Sequence, residues 1–221
     1  MGAPPLPAGL YVITDNSLIP EGELVECVAQ AIDGGAAVIQ YREKHRPWED
    51  RCREAATLAT LCRHRGIPLI INDDIELARA TGSDGVHLGR EDIAISQARK
   101  RLGPQAIIGI SCYNRLDRAL QACQEGADYV AFGRFYPSVT KPDAVTARSA
   151  LLEQARAMID LPLVAIGGIT PENAGELLKA GADLLAVIHG VFGQADIRAA
   201  AAAYAQLFGV GGESRKVKRE E

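Results

Sequence analysis

The sequence predicts a single α/β domain built as a (β/α)8 barrel, and three observations carry that prediction. Eight short apolar runs, at 9–14, 37–41, 68–71, 85–88, 106–111, 129–132, 163–166 and 184–188, are rich in Val, Ile and Leu and lack polar alternation. Strands covered on both faces, as in a parallel sheet flanked by helices, read this way. Amphipathic stretches fall between the runs, so strand and helix alternate. Eight βα units within 221 residues leave room for one small TIM barrel and no second domain or linker. A doubly wound open sheet is the architectural alternative.

Taken in order, residues 1–8 are Pro-rich and are expected to form a flexible N-terminus. The barrel occupies 9–208, and 209–221 form a disordered charged tail. The second strand runs directly into Gln40-Tyr41-Arg42-Glu43-Lys44. The helix after it is clearest over 54–65, where Ala55, Leu58, Ala59 and Cys62 fall at i, i+3, i+4, i+7 spacing. The third strand leads into Asn72-Asp73-Asp74, the fourth into His87-Leu88-Gly89, and the fifth ends at Ser111. After the sixth comes a loop, 133–147, longer than its neighbours, and long loops in compact barrels often close as lids. The seventh and eighth strands end near Gly167-Gly168 and His189-Gly190. An internal echo backs the scheme: Gly34-Gly35-Ala36-Ala37, Gly82-Ser83-Asp84-Gly85, Gly126-Ala127-Asp128 and Gly181-Ala182-Asp183 each precede a strand. Glycine there ends a helix in the left-handed conformation, and each echo spans two βα units.

Composition narrows the function. The net charge is −4 with no basic stripe through the body, which argues against nucleic acid as a partner. Five cysteines, at 27, 52, 62, 112 and 123, form no Cys-x-x-Cys pair, so a disulfide framework is not expected and a reducing cytoplasm is. Residues 1–8 lack the cationic region and the apolar stretch of an export signal, so export is not expected, and no run approaches the roughly twenty apolar residues of a membrane span.

The polar clusters carry the chemistry, because an α/β barrel keeps its site at the carboxyl ends of its strands. On an extended strand Gln40, Arg42 and Lys44 share one face, and burying an unpaired Arg and Lys costs several kcal/mol, so the site calls for an anionic partner. The other reading ends the strand at Tyr41 and leaves the charges in a solvated loop. Asp73 and Asp92 stand at adjacent loop mouths. One or two carboxylates completed by phosphate and water suit Mg²⁺; helix capping is the competing role, best suited to Asp74. His87 is open to a structural or a catalytic role. Ser138-Val139-Thr140-Lys141, in the long loop, offers two hydroxyls and an ammonium for a phosphate. Gly167-Gly168 and His189-Gly190 occupy the positions where barrels bind phosphate through backbone N–H groups. His45 and His64 are read as loop and helix surface, and all five cysteines as packing or neutral. Two anion sites suggest the joining of two phosphorylated fragments, or the departure of diphosphate from one while the other is held.

The chain resembles the thiamine phosphate synthase family from Leu10 to about Ala200. The resemblance is carried by Leu10-Tyr11-Val12-Ile13-Thr14-Asp15, Gln40-Tyr41-Arg42-Glu43-Lys44, Ile71-Asn72-Asp73 and Asp84-Gly85-Val86-His87-Leu88-Gly89-Arg90-Glu91-Asp92. Gly109-Ile110-Ser111, Thr140-Lys141-Pro142 and Ala165-Ile166-Gly167-Gly168-Ile169 complete it. It implies a (β/α)8 barrel that joins a hydroxymethylpyrimidine diphosphate to a thiazole phosphate and releases diphosphate. By the same resemblance Gln40, Tyr41, Arg42, Glu43, Lys44, Asn72, Ser111 and Lys141 hold the pyrimidine diphosphate, with Arg42, Lys44 and Lys141 as catalytic cations. Asp73 and Asp92 bind Mg²⁺, and Ser138, Val139, Thr140, Gly168, Ile188 and His189 line the thiazole phosphate site. Four positions depart from the family's pattern: Ser138-Val139 replaces Thr-Pro, His189 replaces a common Ser, and Arg90 a frequent Gln. A thiazole tautomerase on a related barrel, or a non-catalytic sensor of a phosphorylated ligand, are the rival readings. The partners implied are small phosphorylated pyrimidine and thiazole substrates, neither nucleic acid nor membrane, with homo-oligomerisation left open.

Overall fold

A computed structural model of the chain describes residues 3–4, 6–89, 94–137 and 145–209. Eight strands close into a barrel in chain order: β1 (Gly9–Ile13), β2 (Ala36–Tyr41), β3 (Leu69–Asn72), β4 (Gly85–Leu88), β5 (Ile107–Tyr113), β6 (Tyr129–Gly133), β7 (Leu163–Ile166) and β8 (Leu184–Val187). Every pair is parallel, and β8 closes the ring on β1 with Leu10 opposite Leu185, so the open-sheet alternative falls. The helices that follow the strands are α1 (Leu24–Asp33), α2 (Trp48–Arg65), α3 (Ile75–Thr81), α4 (Ile95–Leu102), α5 (Leu116–Gln124), α6 (Ser149–Arg156), α7 (Ala174–Lys179) and the short α8 (His189–Phe192). A further helix, α9 (Ile197–Gly209), packs against α1 and β1.

Alternation along each strand divides the apolar residues into two cores. Leu10, Val12, Ile39, Leu69, Ile71 and Phe132 face outward and meet the helices. Tyr11, Ile13, Val38, Ile70, Tyr129 and Val164 face inward and fill the barrel. This is the period-2 rule of a strand with both faces buried. On α2 the buried residues are Ala55, Leu58, Ala59 and Cys62, the stripe that the spacing predicts. Its charges follow the helix dipole, with Glu49 and Asp50 in the first turn and Arg63, His64 and Arg65 in the last.

The echo has a structural basis at the barrel's lower rim. Gly82 ends α3 in the left-handed conformation, φ 62°. The aspartate that follows such a glycine then turns to the start of the preceding strand. Asp84 accepts from the Leu69 amide at 2.8 Å, Asp128 from Ile108 at 2.7 Å and Asp183 from Leu163 at 2.8 Å. Arginines from the preceding helices complete the clamp, Arg99 on Asp128 and Arg156 on Asp183.

Two expectations need correction. The polar cluster after Gln40 does not continue the strand: β2 stops at Tyr41, because the Arg42 amide donates to the Thr14 hydroxyl at 2.9 Å instead of to a neighbouring strand. The N-terminal stretch is not free throughout, since Leu6 is buried among the inward-facing residues with Ala3 against it. The 209–221 tail lies outside the described residues from 210 onward. Among the described residues no helix is long and apolar enough to cross a membrane.

Candidate active site

A cavity of about 190 Å³ opens at the carboxyl ends of the strands and draws lining residues from all eight of them. Its floor is a line of polar side chains across the barrel. Gln40 Nε2 donates to the Tyr11 hydroxyl at 2.8 Å, and that hydroxyl meets the Tyr129 hydroxyl at 2.8 Å. Tyr129 in turn meets His87 Nδ1 at 3.0 Å, and His87 Nε2 meets Ser111 Oγ at 2.8 Å. The His87 ring stacks on Tyr129 with centroids 5.5 Å apart. Burial pushes the acidity of both tyrosines well down, raising their pKa values, so both hydroxyls keep their hydrogens. Gly109 makes the arrangement feasible: a Cβ there would sit 1.9 Å from the Tyr129 ring.

One side of the rim is charged. Arg42 lines the cavity, just beyond the end of β2. Lys44 Nζ lies 3.0 Å from Asp73 Oδ2, and Asn72 Nδ2 donates to the same oxygen at 2.7 Å. Asp73 has φ 63° and is fastened by its own amide to the His87 carbonyl at 2.9 Å. It is therefore not a helix cap; Asp74 is, accepting from the Leu77 amide at 2.9 Å and from Arg51 at 2.9 Å. A single carboxylate held at a cavity mouth suits a cation that takes most of its ligands from phosphate and water, as Mg²⁺ does. Among the described residues no cluster of three His, Cys, Asp or Glu side chains offers a ready-made metal cage.

The other side of the rim, on β7 and β8, is built from backbone. Gly167 and Gly168 have φ 106° and 61°, and a Cβ on Gly168 would lie 2.2 Å from the Pro137 carbonyl oxygen. Asn173 pins the turn through Nδ2 to the Gly168 carbonyl at 3.0 Å, and Tyr204 of α9 donates to the Ile169 carbonyl at 2.9 Å. Ile188, His189 and Gly190 complete that wall. The long loop is drawn together at its base by Arg134, whose amide donates to Val145 and whose carbonyl accepts from Ala147.

Of the expected site residues, Gln40, Arg42, Asn72, Ser111, Gly168, Ile188 and His189 meet around this cavity, with Lys44 and Asp73 at its edge. Tyr41 and Glu43 do not reach it. Tyr41 points outward and donates to Glu54 of α2 at 2.6 Å, and Glu43 caps its own loop by accepting from the His45 and Arg46 amides. Asp92, Ser138, Val139, Thr140 and Lys141, with Arg90, lie outside the described residues. Sequence reasoning missed Tyr11, Tyr129 and Tyr113. The first two hide inside apolar runs, and the one available signal was a glycine, Gly109, in mid-strand. Tyr113 stands at the rim with φ 56° under the Arg118 guanidinium, which also holds the Ser111 and Gly89 carbonyls. The five cysteines are free, and burial pushes the Cys62 and Cys112 thiols up to about 12.

Fold and site together define a class: a parallel (β/α)8 barrel with a small-molecule site at the carboxyl ends of its strands, cationic on one side and glycine-built on the other. Comparison with known proteins narrows the class. The family model for thiamine monophosphate synthase matches residues 10–191, and the chain belongs to that family. It is 56% identical over 200 residues to the thiamine-phosphate synthase of Nitrosococcus oceani, covering 90% of this chain and 92% of that one. With the thiamine-phosphate synthase of Thiobacillus denitrificans it shares 52% over 202 residues, covering 91% and 95%. A solved thiamine phosphate pyrophosphorylase from Pyrococcus furiosus superposes with a TM-score of 0.84 at 38% identity, covering 92% and 96%.

Proposed function

We propose that the protein is a transferase that joins 4-amino-2-methyl-5-hydroxymethylpyrimidine diphosphate to a thiazole phosphate, giving thiamine phosphate and diphosphate. Membership of the family supports the reaction class. The observation that carries the site assignment is the two-sided rim, with Arg42, Lys44 and Asp73 across the barrel from the Gly167-Gly168 turn. Gln40, Asn72 and Ser111 would hold the pyrimidine diphosphate, and Gly168, Ile188 and His189 the thiazole phosphate.

The carbon–oxygen bond to the diphosphate breaks first, its electron pair leaving with the diphosphate, while the pyrimidine amino group feeds electrons into the ring. The thiazole nitrogen then forms the new carbon–nitrogen bond to the methylene carbon. Arg42 and Lys44, with Lys141 from the long loop, would stabilise charge gathering on the leaving group. Asp73, with Asp92, would hold Mg²⁺, which when bound supplies further charge neutralisation at the diphosphate. No general acid or base is required, because a leaving diphosphate needs no proton.

Diphosphate release, followed with each component omitted in turn, tests the proposal. Release should require the pyrimidine diphosphate, the thiazole phosphate and Mg²⁺ together. Binding of thiazole phosphate with no release under any condition would return the chain to a tautomerase or sensor role. Lys141→Ala should lower turnover at least about a hundredfold, and Asp73→Asn should raise the Mg²⁺ needed for half-maximal rate.

A further inference from the structure

We propose that Tyr11, Tyr129 and His87 are positioning residues for Ser111: a one-way chain of hydrogen bonds, begun by the Gln40 amide, holds His87 as its Nε2–H tautomer and turns the Ser111 hydroxyl hydrogen into the cavity. The direction follows from counting hydrogens. Gln40 Nε2 has only hydrogens to give, so the Tyr11 oxygen accepts. Tyr11 is 1% exposed and Tyr129 fully buried, so neither hydroxyl can spend its single hydrogen on solvent. A buried donor without an acceptor is costly. Tyr11 therefore gives its hydrogen to Tyr129, 2.8 Å away, and Tyr129 gives its own to His87 Nδ1 at 3.0 Å. A nitrogen that accepts carries no hydrogen, which leaves the ring hydrogen on Nε2, facing Ser111 Oγ at 2.8 Å. Ser111 accepts it and keeps a hydrogen for the cavity that it lines.

Two further contacts hold the end of the chain still. Gly109 leaves room for the Tyr129 ring, and Arg118 Nε fixes the Ser111 carbonyl at 2.8 Å. A half-turn of the Gln40 amide would reverse every bond. His87 would then carry its hydrogen on Nδ1, and Ser111 would give its hydrogen back to the ring. The two senses differ in one observable, the protonated imidazole nitrogen. The functional half of the proposal rests on the reading that Ser111 faces the pyrimidine diphosphate, where a fixed donor gains strength as charge develops.

The test uses the full-length protein with ¹⁵N-labelled histidine, the His87 signals being those that vanish in His87→Gln. Nε2 protonated and Nδ1 bare is the expected result. Protonation on Nδ1, alone or with Nε2, overturns the proposal. Kinetics test the functional half. Tyr129→Phe should lower kcat about tenfold while KM for the pyrimidine diphosphate changes less than about twofold. In a Ser111→Ala background the same change should cost less than about twofold, since residues that act as a unit are not additive. Additive losses would mean that Tyr129 acts independently of Ser111 and would overturn it. Tyr11→Phe replaces Tyr129→Phe in the cycle if the latter does not fold. A wild-type protein that releases no diphosphate refutes the synthase reading, and the nitrogen signals then judge the chain alone.

Discussion

Removing one oxygen atom from Tyr41 isolates the structural work of the corner after β2 from the work of the cavity. Its hydroxyl donates to Glu54 Oε2, while Arg46 takes the other carboxylate oxygen at 2.6 Å. Burial and the adjacent carboxylate hold that phenol far above its ordinary pKa, so it remains a donor. Tyr41→Phe is expected to cost about 1–2 kcal/mol of stability, read from urea unfolding, with both Michaelis constants unchanged. An altered KM for the pyrimidine diphosphate would return Tyr41 to the site. Gly168→Ala should act on the cavity as well. A Cβ 2.2 Å from the Pro137 carbonyl, at φ 61°, strains the turn by about 1–3 kcal/mol. KM for the thiazole phosphate should rise and that for the pyrimidine diphosphate stay level. Residue identity alone separates these positions poorly. Arg42 reaches the rim and Glu43 does not because Thr14, twenty-eight positions away, catches the Arg42 amide, and no local pattern announces that contact.

Secondary-structure elements were far more legible than side-chain partners. β4 and β7 have the bounds that their apolar runs predict, and the α2 stripe is the predicted one. Strand ends that drifted did so for long-range reasons. β5 runs on to Tyr113, through an irregular register opposite β6. The glycine echo was legible as spacing, but the purpose of its aspartates was not, because each serves the strand before its own. Asp183 accepts from the Leu163 amide and pairs with Arg156 at the end of the barrel remote from the cavity. A charge pair at that end serves stability, as the lower face of such barrels generally does. Asp183→Ala should lower stability by about 1–3 kcal/mol and leave kcat and both Michaelis constants within twofold, measured by unfolding and steady-state kinetics on one preparation.

At the scale of the whole molecule, the buried acids set an upper limit on working pH. Cys62, Cys112 and Tyr204 are each pushed up to about 12 by burial, and Tyr11 and Tyr129 are raised as well. In the unfolded chain thiols release their protons near about 8.5 and phenols near about 10. The folded state thus binds more protons than the unfolded one above that range. Stability is fully present below about pH 8 and falls as pH rises toward about 12. A urea midpoint at pH 10.5 should lie below that at pH 8, and equal midpoints would show that these groups titrate freely. The aspartate clamps divide the same molecule more finely. Each binds an odd-numbered strand to the even one after it, β3 to β4, β5 to β6 and β7 to β8, whereas the stretch before β2 reads Gly34-Gly35-Ala36 and brings no carboxylate to β1. The barrel is in this sense made of four staves, three of them riveted. In a deuterium-labelling experiment the amides of Leu69, Ile108 and Leu163 should exchange late and together, while β1 and β2 take up label first.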